Sequence, residues 1–94
     1  MKLALITGAT KGIGRSTAQT FARAGWNLIL LGRDIRKLQD LKNELSNTGV
    51  QINIMAFDLE KVDEYLNQCI KSYGCPTVVI NNAGFAFNLS LIHI

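Results

Sequence analysis

The segment Thr7-Gly8-Ala9-Thr10-Lys11-Gly12-Ile13-Gly14 has the make-up of a loop that holds phosphate. Three glycines in seven positions carry an entropic cost that a loop serving only to pack has little reason to bear. Gly8 suits a tight turn in which a side chain would be strained. Gly12 lets the backbone come close to a pyrophosphate, and Gly14 lets a following helix pack tightly on the preceding strand. A helix beginning here would present unpaired N–H groups and a positive dipole end to an anion. The spacing is G-x3-G-x-G and not the common dinucleotide fingerprint G-x-G-x-x-G, so the strand–turn–helix context has to carry the assignment. The alternative is a tight turn that packs and binds nothing.

Two further clusters could touch a ligand: Asp58-Leu59, and Asn81-Asn82-Ala83-Gly84. Their plain alternatives are a helix cap and an ordinary turn after a strand. The elements around them decide between these. Leu3 to Thr7 is a continuous apolar run closed by glycine, which suits a strand buried on both faces. Ile13, Thr17, Ala18, Phe21 and Ala22 recur at helical spacing up to Ala24, and Gly25 supplies the stop. Leu28 to Leu31 reads as a second buried strand. Asp34 can cap a second helix with the stripe Ile35, Leu38, Leu41 and Leu45, and Gly49 lies past its end. Val50 to Phe57 is the third strand. Val62 to Tyr73 is the third helix, through Tyr65, Leu66, Cys69, Ile70 and Tyr73, and Thr77 to Ile80 is the fourth strand after Pro76.

The order βαβαβαβ with short connections predicts an α/β fold: a Rossmann-like, doubly wound parallel sheet of about four strands and three helices, in the order 3-2-1-4. In such a sheet ligands bind beyond the carboxyl ends of the strands. All three clusters fall there, so one shared ligand is the economical account.

At 94 residues the chain is short for a complete dinucleotide-binding fold, and the expected architecture is incomplete. Apolar residues form 48% and charged residues 18%, a globular composition. A net charge of +3, scattered along the chain, does not argue for nucleic acid. Cys69 and Cys75 form no CxxC pair and have no His cluster beside them, so they are expected to be buried or half-buried free thiols, no metal is expected, and the usage suits a reducing cytosol. The apolar run Leu3 to Ile6 is shorter than a secretory core, and no stretch approaches the ~18 apolar residues of a membrane span. The expectation is a cytoplasmic protein without membrane or nucleic-acid partners.

The chain resembles the short-chain dehydrogenase/reductase family from Met1 to about Phe87. The likeness rests on Thr7-Gly8-x-x-x-Gly12-Ile13-Gly14 (TGxxxGIG), on Asp58-Leu59 after the third strand, and on Asn81-Asn82-Ala83-Gly84 after the fourth. It implies that Asp58 contacts adenine with the Leu59 backbone beside it. It also implies that Asn82, Ala83 and Gly84 line the cofactor near its ribose, and that Asn81 helps hold the central sheet. The parent activity it implies is hydride transfer between a nicotinamide cofactor and a carbonyl or alcohol carbon, usually in a dimer or tetramer.

An NAD-preferring site usually ends its second strand with an acid that binds the ribose 2′-hydroxyl. Here Gly32 stands in that place, Arg33 follows, and Asp34 falls late, where it serves better as a cap. Lys11 precedes Gly12, where related NADP-dependent members carry a base. Lys11 and Arg33 could converge on a 2′-phosphate, one as a point charge and the other as a planar fork. The expected cofactor is NADP(H) ahead of NAD(H), with two solvated surface cations as the alternative. The expected cofactor-binding residues are Gly8, Ala9, Thr10, Lys11, Gly12, Ile13, Gly14, Arg33, Asp58, Leu59, Asn82, Ala83 and Gly84. Arg15 reads as ordinary surface.

The family's Tyr-x-x-x-Lys acid/base pair is absent: Cys69 and Thr77 stand four positions after Tyr65 and Tyr73. His93 stands alone, and no catalytic residue is expected in this chain. Residues 1–88 are expected to be the N-terminal part of an NAD(P)-binding Rossmann domain. The tail 89–94, Leu89-Ser90-Leu91-Ile92-His93-Ile94, matches the in-frame translation of the transposase-adapter sequence CTG TCT CTT ATA CAC ATC, and an origin in library preparation is expected for it. A non-catalytic module that senses NADP(H) redox state needs the same cradle and stands as the second functional reading. Four strands alone would leave the fourth an apolar edge, so these 94 residues are expected to lack reductase activity and to be poorly soluble.

Overall fold

Every residue of the first apolar run is buried, because the strand it forms, β1 (Leu3–Thr7), is paired on both sides and covered on both faces. The computed structural model describes residues 2–56 and 62–82, with the backbone alone for Val62, Asp63, Tyr65 and Leu66. After β1 come α1 (Gly12–Arg23), β2 (Asn27–Gly32), α2 (Ile35–Glu44), a 3-10 turn (Ser46–Thr48), β3 (Ile52–Ala56), α3 (Val62–Tyr73) and β4 (Val78–Asn81). All three strand pairings are parallel and the order is β3-β2-β1-β4, the anticipated Rossmann-like 3-2-1-4.

Strand alternation sorts the core into two halves. Ala4, Ile6, Leu28 and Leu30 face Ala18 and Ala22 of α1 and Leu38 and Leu41 of α2. Leu3, Leu5, Ile29 and Leu31 face the other way, toward Cys69, Ile70 and Tyr73 of α3. The chain therefore leaves β1 over one face and returns to β4 over the other, which opens a crevice at the carboxyl end of β1.

The buried seam of α1 is made of small residues, Gly14, Ala18 and Ala22, so the helix sits close to the sheet. Ile13, expected in that stripe, is instead 77% exposed: it lies about 100° around the helix from Gly14. In α2 the Asp34 carboxylate caps the helix as expected, accepting from the amides of Arg36 at 2.9 Å and Lys37 at 3.3 Å. Leu38 and Leu41 of this helix, and Leu45 just past it, are buried, each contributing on the order of 2 kcal/mol. Ile35, expected in the same stripe, is 49% exposed.

The second helix stops at Glu44 instead of running on toward Gly49. Ser46 Oγ donates to the Asn43 carbonyl and Thr48 Oγ1 to the Leu45 carbonyl, both at 2.7 Å, and these local bonds favour the 3-10 turn over further α-helix. Gly49, at φ +79°, closes that turn, so β3 begins at Ile52 and not at Val50. Its expected last residue, Phe57, lies outside the described residues. The fourth strand runs one residue later than expected, from Val78 to Asn81, while the Thr77 amide already donates to the Leu3 carbonyl at 2.8 Å.

Arg15 Nη2 meets Glu44 Oε2 at 2.5 Å, and Gln19 Nε2 donates to Glu44 Oε1 at 3.2 Å, so one carboxylate clasps two turns of α1 to the end of α2. With side chains 47% and 40% exposed, the ion pair is worth less than about 1 kcal/mol of stability. At the other rim of the sheet Trp26 stacks edge-on against Phe21, ring centres 5.0 Å apart, and Lys2 Nζ lies 5.7 Å from its ring centroid.

The two thiols differ in kind. Cys69 is fully buried with its sulfur 3.7 Å from that of Met55, and burial pushes its thiol up from 9.0 to about 11. Cys75, expected to be at least half-buried, is exposed just after Gly74, whose φ of +93° turns the chain at the end of α3. A thiol reagent at pH 8 should label Cys75 rapidly and Cys69 only on unfolding; two equally fast thiols would contradict the burial. Because its folded pKa is raised, the stability from protonated Cys69 is complete below pH 9 and declines from pH 9 toward 11. Comparing unfolding with Cys69→Ala across that range should isolate this part of the alkaline loss.

Candidate functional site

The carboxyl ends of β1, β2 and β4 finish level, with Thr7 opposite Leu31 on one side and Asn81 on the other. The loop between β1 and α1 rises from the centre of this rim. The Ala9 amide donates to the Leu31 carbonyl at 3.5 Å, tying the loop to β2. Thr7 Oγ1 donates to Asn81 Oδ1 at 2.9 Å and lies 3.5 Å from the Ile80 carbonyl, tying it to β4. Gly8 to Gly14, Arg33 and Asn82 thus share one rim. The expected ligand residues Asp58, Leu59, Ala83 and Gly84, and the tail 89–94, lie outside the described residues.

Gly14 shows the closest approach. A Cβ there would stand 2.0 Å from the Gly8 carbonyl oxygen and 2.8 Å from its carbon, so helix and loop backbones touch directly. The tight packing expected of Gly14 is therefore against the turn leaving β1 and not against the strand itself. Gly8 and Gly12 hold left-handed backbone, φ +61° and +49°, and a Cβ on Gly12 would meet nothing within 4 Å. Above Gly12 the loop is open.

The two helix starts at this rim contrast. Asp34 caps α2. No side chain caps α1 and its first turn holds no acid, so its leading amides and positive dipole end face the open loop. Lys11, Gly12 and Ile13 are exposed there, Thr10 is half-buried and Ala9 is buried. Arg33 is exposed directly after β2. Among the described residues Arg15 and Glu44 form an ion pair, whereas Lys11 and Arg33 form none.

Gly32 has a packing reason as well. A Cβ there would meet Leu38 Cδ2 at 3.4 Å and Cγ at 3.6 Å, so α2 settles over the place where an acid would stand. An open groove of about 490 Å³ continues from Gly12 and Ile13 along Ser16, Thr17, Thr20 and Phe21. The Thr17 and Thr20 hydroxyls are engaged with the Ile13 and Ser16 carbonyls at 2.7 and 3.0 Å, so the groove presents mainly carbon.

Two contributors escaped the sequence reading of the site. Thr7 was quoted only as part of the motif, although a hydroxyl at the end of an apolar buried run signals a partner requirement. Glu44 gave no signal, since its partner Arg15 is 29 positions away. Among the described residues no group of three His, Cys, Asp or Glu is placed to hold a metal, and no helix is long and apolar enough to cross a membrane.

An open parallel sheet of order 3-2-1-4 with a glycine loop at its centre defines a Rossmann-like nucleotide-binding α/β protein. The chain belongs to the short-chain dehydrogenase family, described as "short chain dehydrogenase", which it matches over residues 2–93. It is 40% identical over 84 residues to sulfoacetaldehyde reductase of Chromohalobacter salexigens, covering 86% of this chain and 33% of that one. It is 34% identical over 97 residues to dehydrogenase/reductase SDR family member 7B of Xenopus laevis, covering 94% and 30%. Among solved structures, an alcohol dehydrogenase of Thermococcus sibiricus complexed with 5-hydroxy-NADP superposes with a TM-score of 0.78 at 35% identity, covering 84% of this chain and 35% of that one. L-sorbose reductase of Gluconobacter frateurii, complexed with NADPH and L-sorbose, gives 0.80 at 33% identity, covering 93% and 35%. The chain spans about a third of the length of these relatives.

Proposed function

We propose that this chain is the NADP(H)-binding part of an oxidoreductase that passes hydride between that cofactor and a carbonyl or alcohol substrate. Gly8, Ala9, Thr10, Gly12, Ile13 and Gly14 form the pyrophosphate cradle, with the uncapped start of α1 facing the anion. Asp58 and Leu59 take the adenine end, and Asn82, Ala83 and Gly84 the ribose. Lys11 and Arg33 take the 2′-phosphate. When bound, the cofactor supplies the hydride; the chain's own part is to bind and orient it.

The observation that carries the cofactor choice is Asp34. Its carboxylate faces the amides of Arg36 and Lys37, so the one acid beside the end of β2 serves the helix, while Lys11 and Arg33 stay unpaired among the described residues. Two solved relatives carry an NADP-type ligand in their descriptions, which supports the same choice. Fluorescence titration with NADPH and NADH tests it: NADPH should bind at least about tenfold more tightly, as one charge-assisted contact of roughly 1.4 kcal/mol gives. Equal affinities would overturn the NADP(H) assignment.

A further inference from the structure

We propose that Glu44 is a specificity-tuning residue: it holds Arg15 in the α1–α2 clasp and so keeps a third cation out of the dinucleotide site. The inference rests on the NADP(H) reading above. Arg15 sits one helical turn from the glycine loop, its amide donating to the Lys11 carbonyl at 3.3 Å. A free guanidinium there would add to the positive field that Lys11 and Arg33 supply. Instead it meets Glu44 Oε2, and Gln19 occupies Glu44 Oε1, so both carboxylate oxygens are engaged by the same face of α1. Both partners of the ion pair are more than a third exposed, so the clasp contributes little stability, and its effect lies in where the charge points. With the clasp intact the rim counts two unpaired cations beside the α1 start. Without it the rim counts three, and any dinucleotide is held more strongly through its pyrophosphate, which reduces discrimination by the 2′-phosphate.

NADPH and NADH titrations of four variants test this. Glu44→Gln should tighten NADH by about threefold at low salt, the scale of one extra charge within about a Debye length, and the gain should fade in high salt. NADPH should gain no more than NADH, so the NADPH/NADH ratio should not rise. Arg15→Gln should leave both affinities as they are, and Arg15→Gln with Glu44→Gln should return to the parent values. Asp40→Asn, which removes a different exposed acid of α2, should change neither. If Glu44→Gln and Asp40→Asn tighten binding equally, or if Arg15→Gln weakens it, the inference falls while the NADP(H) reading stands. If the parent chain binds NADH as tightly as NADPH, or neither of them, that reading falls first and takes the inference with it.

Discussion

Gly14→Ala is expected to remove dinucleotide binding and to lower the stability of the fold by more than about 3 kcal/mol, beyond the usual range for an overpacked site. The added methyl would stand 2.0 Å from the Gly8 carbonyl oxygen and 3.2 Å from the Ala9 Cα, and both are backbone atoms. No rotamer change can make room. Either α1 lifts from the sheet or the loop moves, and each breaks the registration of the glycine loop with β1. Gly12→Ala separates fold from site. Its methyl meets no protein atom, so only the left-handed backbone is penalised, by about 1–2 kcal/mol. That variant should fold and yet bind NADPH poorly, because the methyl enters the space left for the ligand. Urea unfolding followed by Trp26 emission, with an NADPH titration of each variant, measures both effects. A Gly14→Ala protein with parental stability would refute the close packing.

Removing Lys11 and Arg33 together, as alanines, should weaken NADPH binding by about 100-fold, taking each charge-assisted contact at roughly 1.4 kcal/mol, near the lower end of its range because both residues are exposed. NADH, which lacks the 2′-phosphate, should change by no more than about twofold. The comparison separates two roles. Cations that merely raise the local potential would weaken both cofactors in parallel through the shared pyrophosphate, whereas cations that recognise the 2′-phosphate weaken NADPH alone. A parallel loss would leave the cradle in place and withdraw the 2′-phosphate role.

Most of the fold was legible in the sequence because its signals are local. Continuous apolar runs mark strands covered on both faces, and Asp34 marks the start of α2 by a bond to the next turn. The helix and strand ends near Gly49 were misplaced because the hydroxyls of Ser46 and Thr48 compete with the helix, an outcome decided by hydrogen bonds and not by periodicity. Ile13 was read into the core because its spacing fits the helix, yet the seam of α1 accepts only small side chains against the sheet. At the site, the glycine loop and the two cations could be read from residue type and position. The Thr7–Asn81 bond, the Glu44 clasp and the Leu38 contact at Gly32 could not, since each joins residues brought together by the sheet.

Trp26 gives the chain an optical reporter of its own. It is the single tryptophan, set just before β2 begins, whereas Arg33 follows where β2 ends, so indole and cofactor rim are separated by about the length of one strand, roughly 17 Å. Its edge-on contact with Phe21 and the Lys2 ammonium near its ring depend on the fold and not on the rim. Unfolding should therefore shift the colour of its emission. Reduced nicotinamide absorbs where indole emits, so binding of NADPH should dim that emission without changing its colour, and one cuvette can distinguish a variant that has lost its ligand from one that has lost its shape.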